Sequence, residues 1–358
     1  MGDKVKVSFF RSVIELNNIS LDLKIGSVEE LENMLSKQYG YNVLVVNNIA
    51  SAFRLTLSAI ETKRGDKIIC SINSYPEIPQ AIRSFDSEPL FNDISLENYC
   101  IDIELVNKQL KENNNKKLNA AIISHFNGTI VDIDQTLEIA KDKKVTVIED
   151  FSDITLDRDV KIKGDIAIFS LNHRLNSVLK GSFVVFKDSE VYKRAKILRS
   201  CGKVYNNKTL PYIYDVVDIG YDYNMSELDA SIFLKNRFFV SRKRDEIAKL
   251  YNEYLKELDA ISLPRDKDKM IFYNIEIKRN RDFFARGVLQ RGVEVGLFNI
   301  PLNFTTYYKN KYGFKVTAFK NALLAYQRVL TLPCYDAMSK EEAMYVIDVV
   351  KEVASCHV

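Results

Sequence analysis

Residues 145–186, VTVIEDFSDITLDRDVKIKGDIAIFSLNHRLNSVLKGSFVVF, decide the fold of this chain. The pattern predicts one buried strand that ends at Asp150, a second that ends at Ser170, and a third over residues 181–186. Apolar runs of this length between polar turns are typical of a sheet covered on both faces. Because α/β folds bind ligands at the carboxyl ends of their strands, we expect a site near Asp150 and Ser170.

Strands and helices alternate along the first half of the chain. The pattern predicts strands near residues 43–46, 66–70, 89–91 and 120–124, and helices near residues 27–39, 47–60, 78–84 and 133–140. This alternation predicts an α/β fold built on a doubly wound, mostly parallel sheet. Ser27 and Glu30 have the spacing of a capping box, which predicts Ser27 as the N-cap of the first helix.

A smaller α+β domain is predicted in the C-terminal part, after a long helix over residues 226–258. Its expected strands lie at residues 270–277 and 293–296, and its expected helices at residues 281–290, 319–328 and 339–354. Ser339 and Glu342 form a second capping-box pattern. A chain of 358 residues is long enough for two domains. We therefore expect a large domain over residues 1–238 and a small domain over residues 239–358.

Composition excludes several classes of protein. The chain has 51 Lys and Arg against 48 Asp and Glu, so it has no basic pattern for nucleic acid or a membrane surface. Its first ten residues, MGDKVKVSFF, lack the apolar core of a signal peptide, and no apolar segment is long enough to span a bilayer. Five scattered cysteines without a CxxC pair predict free thiols in a cytoplasmic protein, and three histidines without ligand spacing predict no metal site.

Three motifs, in order, resemble the DegT/StrS family of sugar-nucleotide aminotransferases, which have the type I fold of pyridoxal phosphate (PLP) enzymes. They are VIED (147–150) with GDIAIFS (164–170), GYDYNMSELDA (220–230), and LTLP (330–333) with MSKEE (338–342). The second is close to the family's GYNYRMSELQAA. The resemblance covers residues 26–358. It implies a homodimer in amino-sugar or surface-glycan biosynthesis, with a nucleotide-linked keto sugar as the ligand.

The resemblance also implies roles for individual residues. Asp150 matches the carboxylate that meets the pyridine nitrogen of PLP, where it makes the ring an electron sink. Ser170 matches a phosphate-binding serine, and Tyr75 matches the aromatic residue that covers the ring. Asp153 takes the place of a Gln or His beside the phenolic oxygen, where a carboxylate is unfavourable. His125, at a strand end before a turn, is interpreted as structural.

The phosphate end of the implied cofactor site departs from the family pattern. Ser-Gly-Thr of the family is replaced by residues 48–50, Asn-Ile-Ala, so the glycine that allows close approach is lost. Ala50 and Ser51 remain the candidates for this end. Asp222 replaces the Asn that reaches the phosphate across the dimer, and Asn224 replaces an Arg. A carboxylate about 4 Å from a phosphate costs about 4 kcal/mol per charge pair at an effective dielectric constant near 20.

The Schiff-base lysine of the family is missing. Its position falls at Leu175, or at Arg174 if a one-residue deletion lies earlier in the loop. Leucine has no amine, and the guanidinium of arginine stays protonated, so neither residue forms a Schiff base. Lys180 aligns with a later Gly-rich turn. His173 lies two residues before the position that some relatives fill with a His for dehydration with pyridoxamine phosphate (PMP). Lys180 and His173 are the alternative catalytic candidates.

Two interpretations of function compete. The first is an active PLP- or PMP-dependent aminotransferase or dehydratase that acts on a nucleotide-linked keto sugar. The second is a pseudoenzyme that keeps the fold, with PLP, PMP or no cofactor, and serves as a binding, regulatory or partner subunit. The missing lysine and the altered phosphate end favour the second. A third interpretation stays open, in which Asp153, Asp222 and His173 line an acidic pocket with another chemistry.

Overall fold

A seven-stranded sheet forms the centre of the large domain. The computed structural model describes residues 6–10, 26–112, 117–156, 158–171, 180–205, 210, 212–235, 242–264, 270–297 and 299–356. The strands are β1 (Asn42–Val46), β2 (Lys67–Ser71), β3 (Glu88–Asn92), β4 (Leu118–Ser124), β5 (Thr146–Phe151), β6 (Ile166–Ser170) and β7 (Ser182–Phe186). Their order is β1-β7-β6-β5-β4-β2-β3, and β7 alone among them runs antiparallel to its neighbours. The predicted doubly wound, mostly parallel sheet is confirmed.

Helices cover both faces of this sheet, which explains why its strands are apolar on both sides. They are α1 (Ser27–Tyr39), α2 (Ile49–Ala59), α3 (Glu77–Arg83), α4 (Ile103–Glu112), α5 (Asp134–Lys143), α6 (Ser189–Leu198) and α7 (Glu227–Lys235). The helices α2, α3 and α6 pack on one face. The other face is covered by α4 and α5 towards β2 and β4, and by α1 and α7 towards β1, β6 and β7.

The predicted N-cap of α1 is wrong. Gly26 is the N-cap, with a left-handed φ of 106°, and no side chain caps this helix end. The Ser27 hydroxyl instead lies 2.7 Å from the hydroxyl of Ser231 on α7. The capping-box pattern failed here because a tertiary contact between two helices took the hydroxyl. Gly40 ends α1 in the left-handed conformation, which is common for glycine at a helix C-terminus.

The C-terminal part forms a three-stranded antiparallel sheet with helices packed against it. Its elements are α8 (Arg242–Leu255), β10 (Ile261–Ser262), β11 (Tyr273–Ile277), α9 (Arg281–Gln290), α10 (Thr306–Tyr312), α11 (Lys320–Arg328), β12 (Val329–Leu332) and α12 (Lys340–Ser355). The order β10-β11-β12 places β11 in the centre. A two-stranded ribbon of β8 (Lys203–Val204) and β9 (Asp215–Val216) precedes this part.

Several predictions for this region can be compared with the structure. The capping box of Ser339 and Glu342 on α12 is confirmed. The predicted strand over residues 293–296 is wrong, because Val293 and Gly296 form only isolated bridges. A helix is predicted over residues 226–258. In the structure α7 begins at Glu227 and α8 ends at Leu255. Residues 236–241 lie outside the described residues, so the domain boundary at residue 238 stays a prediction.

The cysteines agree with the expectation of free thiols. All five cysteines are free, with Cys70 and Cys100 buried and Cys356 exposed. Within the ranges described above, no helix combines the length and the apolar character that a membrane crossing needs. The same ranges contain no group of three metal-binding side chains.

Candidate functional site

A polar pocket lies at the carboxyl ends of β2, β4 and β5. It is small: its free space of about 290 Å³ includes solvent outside the mouth, and its interior has room for about one water molecule. Three of the side chains predicted from sequence, Tyr75, Asp150 and Asp153, line it together. The other lining residues are Ser71, Asn73, Ser74, Tyr99, Cys100, Ile101, Ser124 and Phe126. The pocket lies at the sheet edge where α/β folds bind ligands, although Ser170 is not among the lining residues that the structure describes.

The Asp150 carboxylate is held in one orientation by its neighbours. It is 3% exposed, near the end of β5. Its Oδ2 accepts a hydrogen bond of 2.9 Å from the Ser124 hydroxyl, and its Oδ1 accepts one of 3.0 Å from the backbone N–H of Ser152. A carboxylate offers about four acceptor positions, so Asp150 can accept a further hydrogen bond from a ligand in the pocket. A protonated ring nitrogen or an ammonium group can supply that bond.

Two polar side chains in the pocket wall have no hydrogen-bond partner. Asn73 is 3% exposed, and neither its Nδ2 nor its Oδ1 is bonded to any part of the described chain. The buried hydroxyl of Ser74 is unbonded in the same way. A buried polar group without a partner costs about 1–3 kcal/mol, and native proteins keep few of them. These atoms therefore indicate a place where a ligand or ordered water binds.

Asn73 is not among the site residues predicted from the sequence. Its signal was available, because residues 73 and 74 follow directly after β2, at the same sheet edge as Asp150. Two of the lining residues, Asp150 and Asp153, carry carboxylates. Asp222, which the third interpretation of the sequence places beside Asp153, is not among the lining residues that the structure describes.

The helix end expected to bind the cofactor phosphate carries its own cap. Asn48 is the N-cap of α2, and its Oδ1 accepts a hydrogen bond of 2.9 Å from the backbone N–H of Ser51. This N–H is one of those with which a helix N-terminus binds an anion. Ala50 is exposed, Ser51 is buried, and neither lines the pocket. Arg54, further along α2, stacks its guanidinium over the ring of Tyr221 at 4.5 Å.

Asp222 lies on an exposed loop that a glycine holds in place. Its Oδ1 accepts hydrogen bonds from the backbone N–H and the side-chain amide of Asn224, at 3.2 and 2.9 Å. A Cβ at Gly220 would lie 2.2 Å from the carbonyl oxygen of Leu198, so only glycine allows this close approach to α6. Burial raises the pKa of Tyr223, the residue after Asp222, to about 12, so the Tyr223 hydroxyl stays neutral. Asp222 forms no ion pair with the described residues.

The two ends of the implied cofactor site differ in how well they fit PLP. Asp150 and Tyr75 suit a protonated pyridine ring. The opposite end has a capped helix terminus, and the resemblance implies that Asp222 adds a carboxylate there across a dimer, so this end does not suit a phosphate. The residues described here therefore do not fit the whole cofactor. Ser170 ends β6 opposite Ser182 and is half-buried.

The catalytic candidates have different outcomes. Lys180 is exposed. Leu175, Arg174 and His173 lie outside the described residues, so their assignment rests on the sequence alone. They stay predictions, as does the cofactor role of Asp150, Ser170, Tyr75, Ala50, Ser51, Asp153 and Asp222.

His125 belongs to a buried hydrogen-bond network beside the pocket. Its Nε2 lies 3.1 Å from Glu149 Oε1, and its Nδ1 accepts a bond of 3.2 Å from the backbone N–H of Val131. The second oxygen of Glu149 accepts bonds from the backbone N–H groups of Lys163 and Gly164, at 2.7 and 2.6 Å. Both His125 nitrogens are thus engaged with protein, and the residue does not line the pocket. This supports the interpretation of His125 as structural.

The turn after His125 connects the pocket to the C-terminal part. Asn127 Oδ1 accepts hydrogen bonds from the backbone N–H groups of Ile271 and Phe272, at 3.1 and 2.6 Å. Its Nδ2 donates to the Phe272 carbonyl at 3.1 Å. The next residue, Gly128, donates its N–H to the carbonyl of Asp153 at 3.0 Å. Sequence analysis identified this turn but had no signal for its long-range bonds.

Comparison with known proteins adds to this geometry. The sequence profile of the DegT/DnrJ/EryC1/StrS aminotransferase family matches residues 13–351. The chain is 28% identical over 362 residues to the uncharacterized protein MJ1066 of Methanocaldococcus jannaschii, covering 94% of this chain and 92% of that protein. It is 24% identical over 357 residues to the GDP-perosamine synthase of Escherichia coli O157:H7, covering 95% and 93%.

A solved structure shows the same fold. The putative sugar aminotransferase Spr1654 of Streptococcus pneumoniae, in its PMP-form, superposes with a TM-score of 0.83 at 20% sequence identity over 96% of each chain. Its PLP-form gives a TM-score of 0.82. The fold predicted from the three motifs is therefore confirmed.

Proposed function

This chain belongs to the DegT/DnrJ/EryC1/StrS aminotransferase family, and we propose that it is a sugar aminotransferase-like protein of amino-sugar or surface-glycan biosynthesis that does not use a Schiff-base lysine. The observation that carries the proposal is Leu175 at the position of that lysine. Without an amine at this position the chain lacks the group with which the family holds PLP covalently. The cap that Asn48 places on α2 supports the same conclusion, because it occupies an N–H of the phosphate end.

The proposed ligand is a nucleotide-linked sugar. The GDP-perosamine synthase among the relatives supports this class, since its name contains a nucleotide and a sugar. In this chain, the residues available for binding are the polar groups of the pocket. Asp150 is held by Ser124, while Asn73 and Ser74 offer unbonded donors and acceptors. A cytoplasmic location stays a prediction from composition.

The alternative is a PLP- or PMP-dependent aminotransferase or dehydratase that acts on a nucleotide-linked keto sugar. The observation that favours it is the ring end of the pocket, where Tyr75 and the oriented carboxylate of Asp150 suit a pyridine ring. A bound cofactor would supply an electron sink there. The PLP- and PMP-forms of the Streptococcus pneumoniae protein support the same alternative.

Treatment with PLP and then with borohydride separates these functions. We expect the purified chain to show no stoichiometric pyridoxyl group on any lysine in peptide mass spectrometry, because residue 175 is a leucine. Spr1654, treated in parallel, is the positive control. The proposal would be overturned if a single lysine is labelled to completion and this labelling is lost in Asp150→Asn. Lys180 is the first lysine to inspect. Turnover of glutamate with a keto sugar nucleotide would support the alternative.

We also propose that the chain forms a homodimer through the segment around β8 and β9. This segment exposes large apolar side chains, with Tyr212 73% and Ile219 80% exposed. The further members are Tyr205, Leu210, Ile213, Tyr214, Val216, Val217 and Tyr221. Monomeric proteins rarely leave so many neighbouring apolar residues in water, so a second copy of the chain is the proposed cover.

The dimer can be tested with one charged substitution. Ile219→Asp is expected to weaken dimerisation about 30-fold, since an interface anchor contributes about 2 kcal/mol or more. Sedimentation equilibrium gives the dissociation constant. Phe283→Asp, at an apolar residue of α9 that is 53% exposed, is the control and should leave it unchanged. An unmodified chain that stays monomeric at micromolar concentration would contradict the proposal.

A further inference from the structure

We propose that a hydrogen bond between Tyr99 and Glu276 is a latch that keeps the pocket at the ends of β2, β4 and β5 closed. The pocket opens when the C-terminal sheet moves away from residues 95–100. The Tyr99 hydroxyl donates to Oε1 of Glu276, which lies on β11, the central strand of that sheet. The inference goes beyond the proposed function, because it concerns access to the pocket, whatever ligand enters it.

The pocket is too small for an organic ligand in this structure. Its interior has room for about one water molecule, although it lies where α/β folds bind ligands. Tyr99 and Cys100 form part of its wall, and Cys100 is 1% exposed. A ligand larger than water therefore enters only after part of the wall has moved. The latch joins this wall to the C-terminal part, so it is a contact that the movement breaks.

The backbone at Tyr99 is strained, as is typical of ligand clamps and switches. Its φ is 61°, a left-handed conformation that is uncommon for a bulky side chain. A tight turn imposes it, because the N–H of Tyr99 donates to the Ser95 carbonyl and the N–H of Ser95 donates to the Cys100 carbonyl, both at 2.9 Å. The N–H of Cys100 donates to the side chain of Asn98 at 3.0 Å. These bonds hold Tyr99 where its hydroxyl reaches Glu276.

The closed arrangement leaves buried polar atoms without partners. Asn274 lies two residues before Glu276 on β11, so both side chains are on the same face of the sheet. Asn274 is 4% exposed. Its Oδ1 accepts a hydrogen bond from Thr331, but its Nδ2 is unbonded within the described chain. Asn73 and Ser74 in the pocket wall carry further unbonded atoms. Water that enters on opening would satisfy such atoms, so opening costs less free energy than loss of the latch alone.

Asn127 provides the pivot for this movement. Its side chain holds Ile271 and Phe272, just before β11, with three hydrogen bonds. Glu276 lies four residues beyond Phe272, about 13 Å away along an extended strand. A strand that is held at one end and released at the other allows a hinge movement, which is a common way for proteins to open around ligands.

Cys100 reports the opening, because its thiol lies between the latch and the pivot. Its Sγ accepts a hydrogen bond of 3.3 Å from the N–H of Phe126, which precedes Asn127, and its backbone follows Tyr99. The experiment measures the rate at which iodoacetamide alkylates each cysteine of the folded full chain, by peptide mass spectrometry. Tyr99→Phe removes the hydroxyl donor. We expect it to speed the alkylation of Cys100 about tenfold, the effect of losing one hydrogen bond to a charged group.

Glu276→Gln tests the other end of the latch. A hydrogen bond to a neutral acceptor is about half as strong as one to a carboxylate, so we expect the alkylation of Cys100 to rise about threefold. A variant with both substitutions should match Tyr99→Phe alone, because phenylalanine has no donor for either acceptor. If Tyr99→Phe does not fold, Glu276→Gln decides the question by itself.

Two controls separate the latch from a general loss of stability. Cys70 is buried between β2 and the helices on the α2 side of the large sheet. Its alkylation reports unfolding of the large domain, and this rate should not change in Tyr99→Phe. Tyr254→Phe, at an exposed tyrosine of α8, should leave the alkylation of Cys100 unchanged.

The inference would be overturned if the alkylation of Cys100 does not rise in Tyr99→Phe, or if it rises by the same factor as that of Cys70. It would also be overturned if Cys100 of the unmodified chain reacts as fast as the exposed Cys356, because the pocket would then already be open. None of these results affects the proposed function. A stoichiometric lysine adduct with PLP would remove the proposed function and leave the latch standing, so the two failures can be distinguished.

Discussion

Glu149→Ala is expected to lower the free energy of unfolding by about 3–5 kcal/mol, because it leaves three buried donors without their acceptor and each unsatisfied buried group costs about 1–3 kcal/mol. Glu149 is 1% exposed and His125 is likewise 1% exposed. The carboxylate accepts one bond from the His125 ring and two from the backbone N–H groups of Lys163 and Gly164. Alanine removes the acceptor of all three donors and leaves a cavity beside them.

The effect should spread to the neighbouring loop, because Glu149 is the group that fixes residues 163 and 164 against β5. His125 cannot compensate by moving its proton from Nε2 to Nδ1. Its Nδ1 accepts from Val131, so a proton there would face another N–H. The lost interaction therefore has no local replacement.

Urea denaturation followed by circular dichroism gives the free energy of unfolding by linear extrapolation. The control is Glu138→Ala on α5, an exposed glutamate whose loss should change this free energy by about 0.5 kcal/mol or less. Glu149→Gln keeps the shape of the side chain but removes its charge. We expect a loss in the free energy of unfolding between zero and that of Glu149→Ala, because the glutamine N–H₂ must face one of the three donors. A loss below about 1 kcal/mol for Glu149→Ala would show that the network does not stabilise the fold.

The difference between what the sequence predicted and what it missed has a physical cause. Strand and helix positions follow from apolar patterns within short windows, so β4, β5 and β6 were predicted nearly to the residue. Asp150 could be placed at the site because strand ends share one sheet edge. Contacts between distant segments have no such local signal. The bond between Ser27 and Ser231 overrode a valid capping pattern for this reason.

Asn48 shows a second kind of limit. An Asn before a helix is a strong N-cap signal, yet the same helix end is also an anion site. The resemblance to the family shows that Ile49 and Ala50 replace the family's glycine and threonine. The structure shows the Asn48 side chain bonded to the Ser51 N–H, which a phosphate would otherwise use. Local chemistry alone could not decide between a cap and a ligand.

Asn127→Ala is the second substitution for which we expect a large effect, a loss of about 2–4 kcal/mol in the free energy of unfolding. Its side chain makes three hydrogen bonds with the backbone of Ile271 and Phe272. Both of these residues are buried, so two N–H groups and a carbonyl lose their partner away from water. Asn127 also has a φ of 49°, a left-handed conformation that Asn tolerates better than Ala.

Asn127→Gly separates the two contributions. Glycine adopts a positive φ without strain but has no side chain, so it should lose the hydrogen bonds alone and be about 1 kcal/mol more stable than Asn127→Ala. Asn310→Ala, on the exposed side of α10, is the control for a generic Asn loss. Urea denaturation gives all three values.

The same turn holds the pocket, so stability and binding should change together. Gly128 donates to the carbonyl of Asp153, and Asn127 fixes Gly128 relative to the strand that begins at Tyr273. We therefore expect Asn127→Ala to weaken the binding of the proposed nucleotide-linked sugar as well as the fold, whereas Glu138→Ala changes neither. Equal stability of Asn127→Ala and the unmodified chain would mean that the C-terminal part is held to the pocket by other contacts, of which the bond from Tyr99 to Glu276 is the first to test.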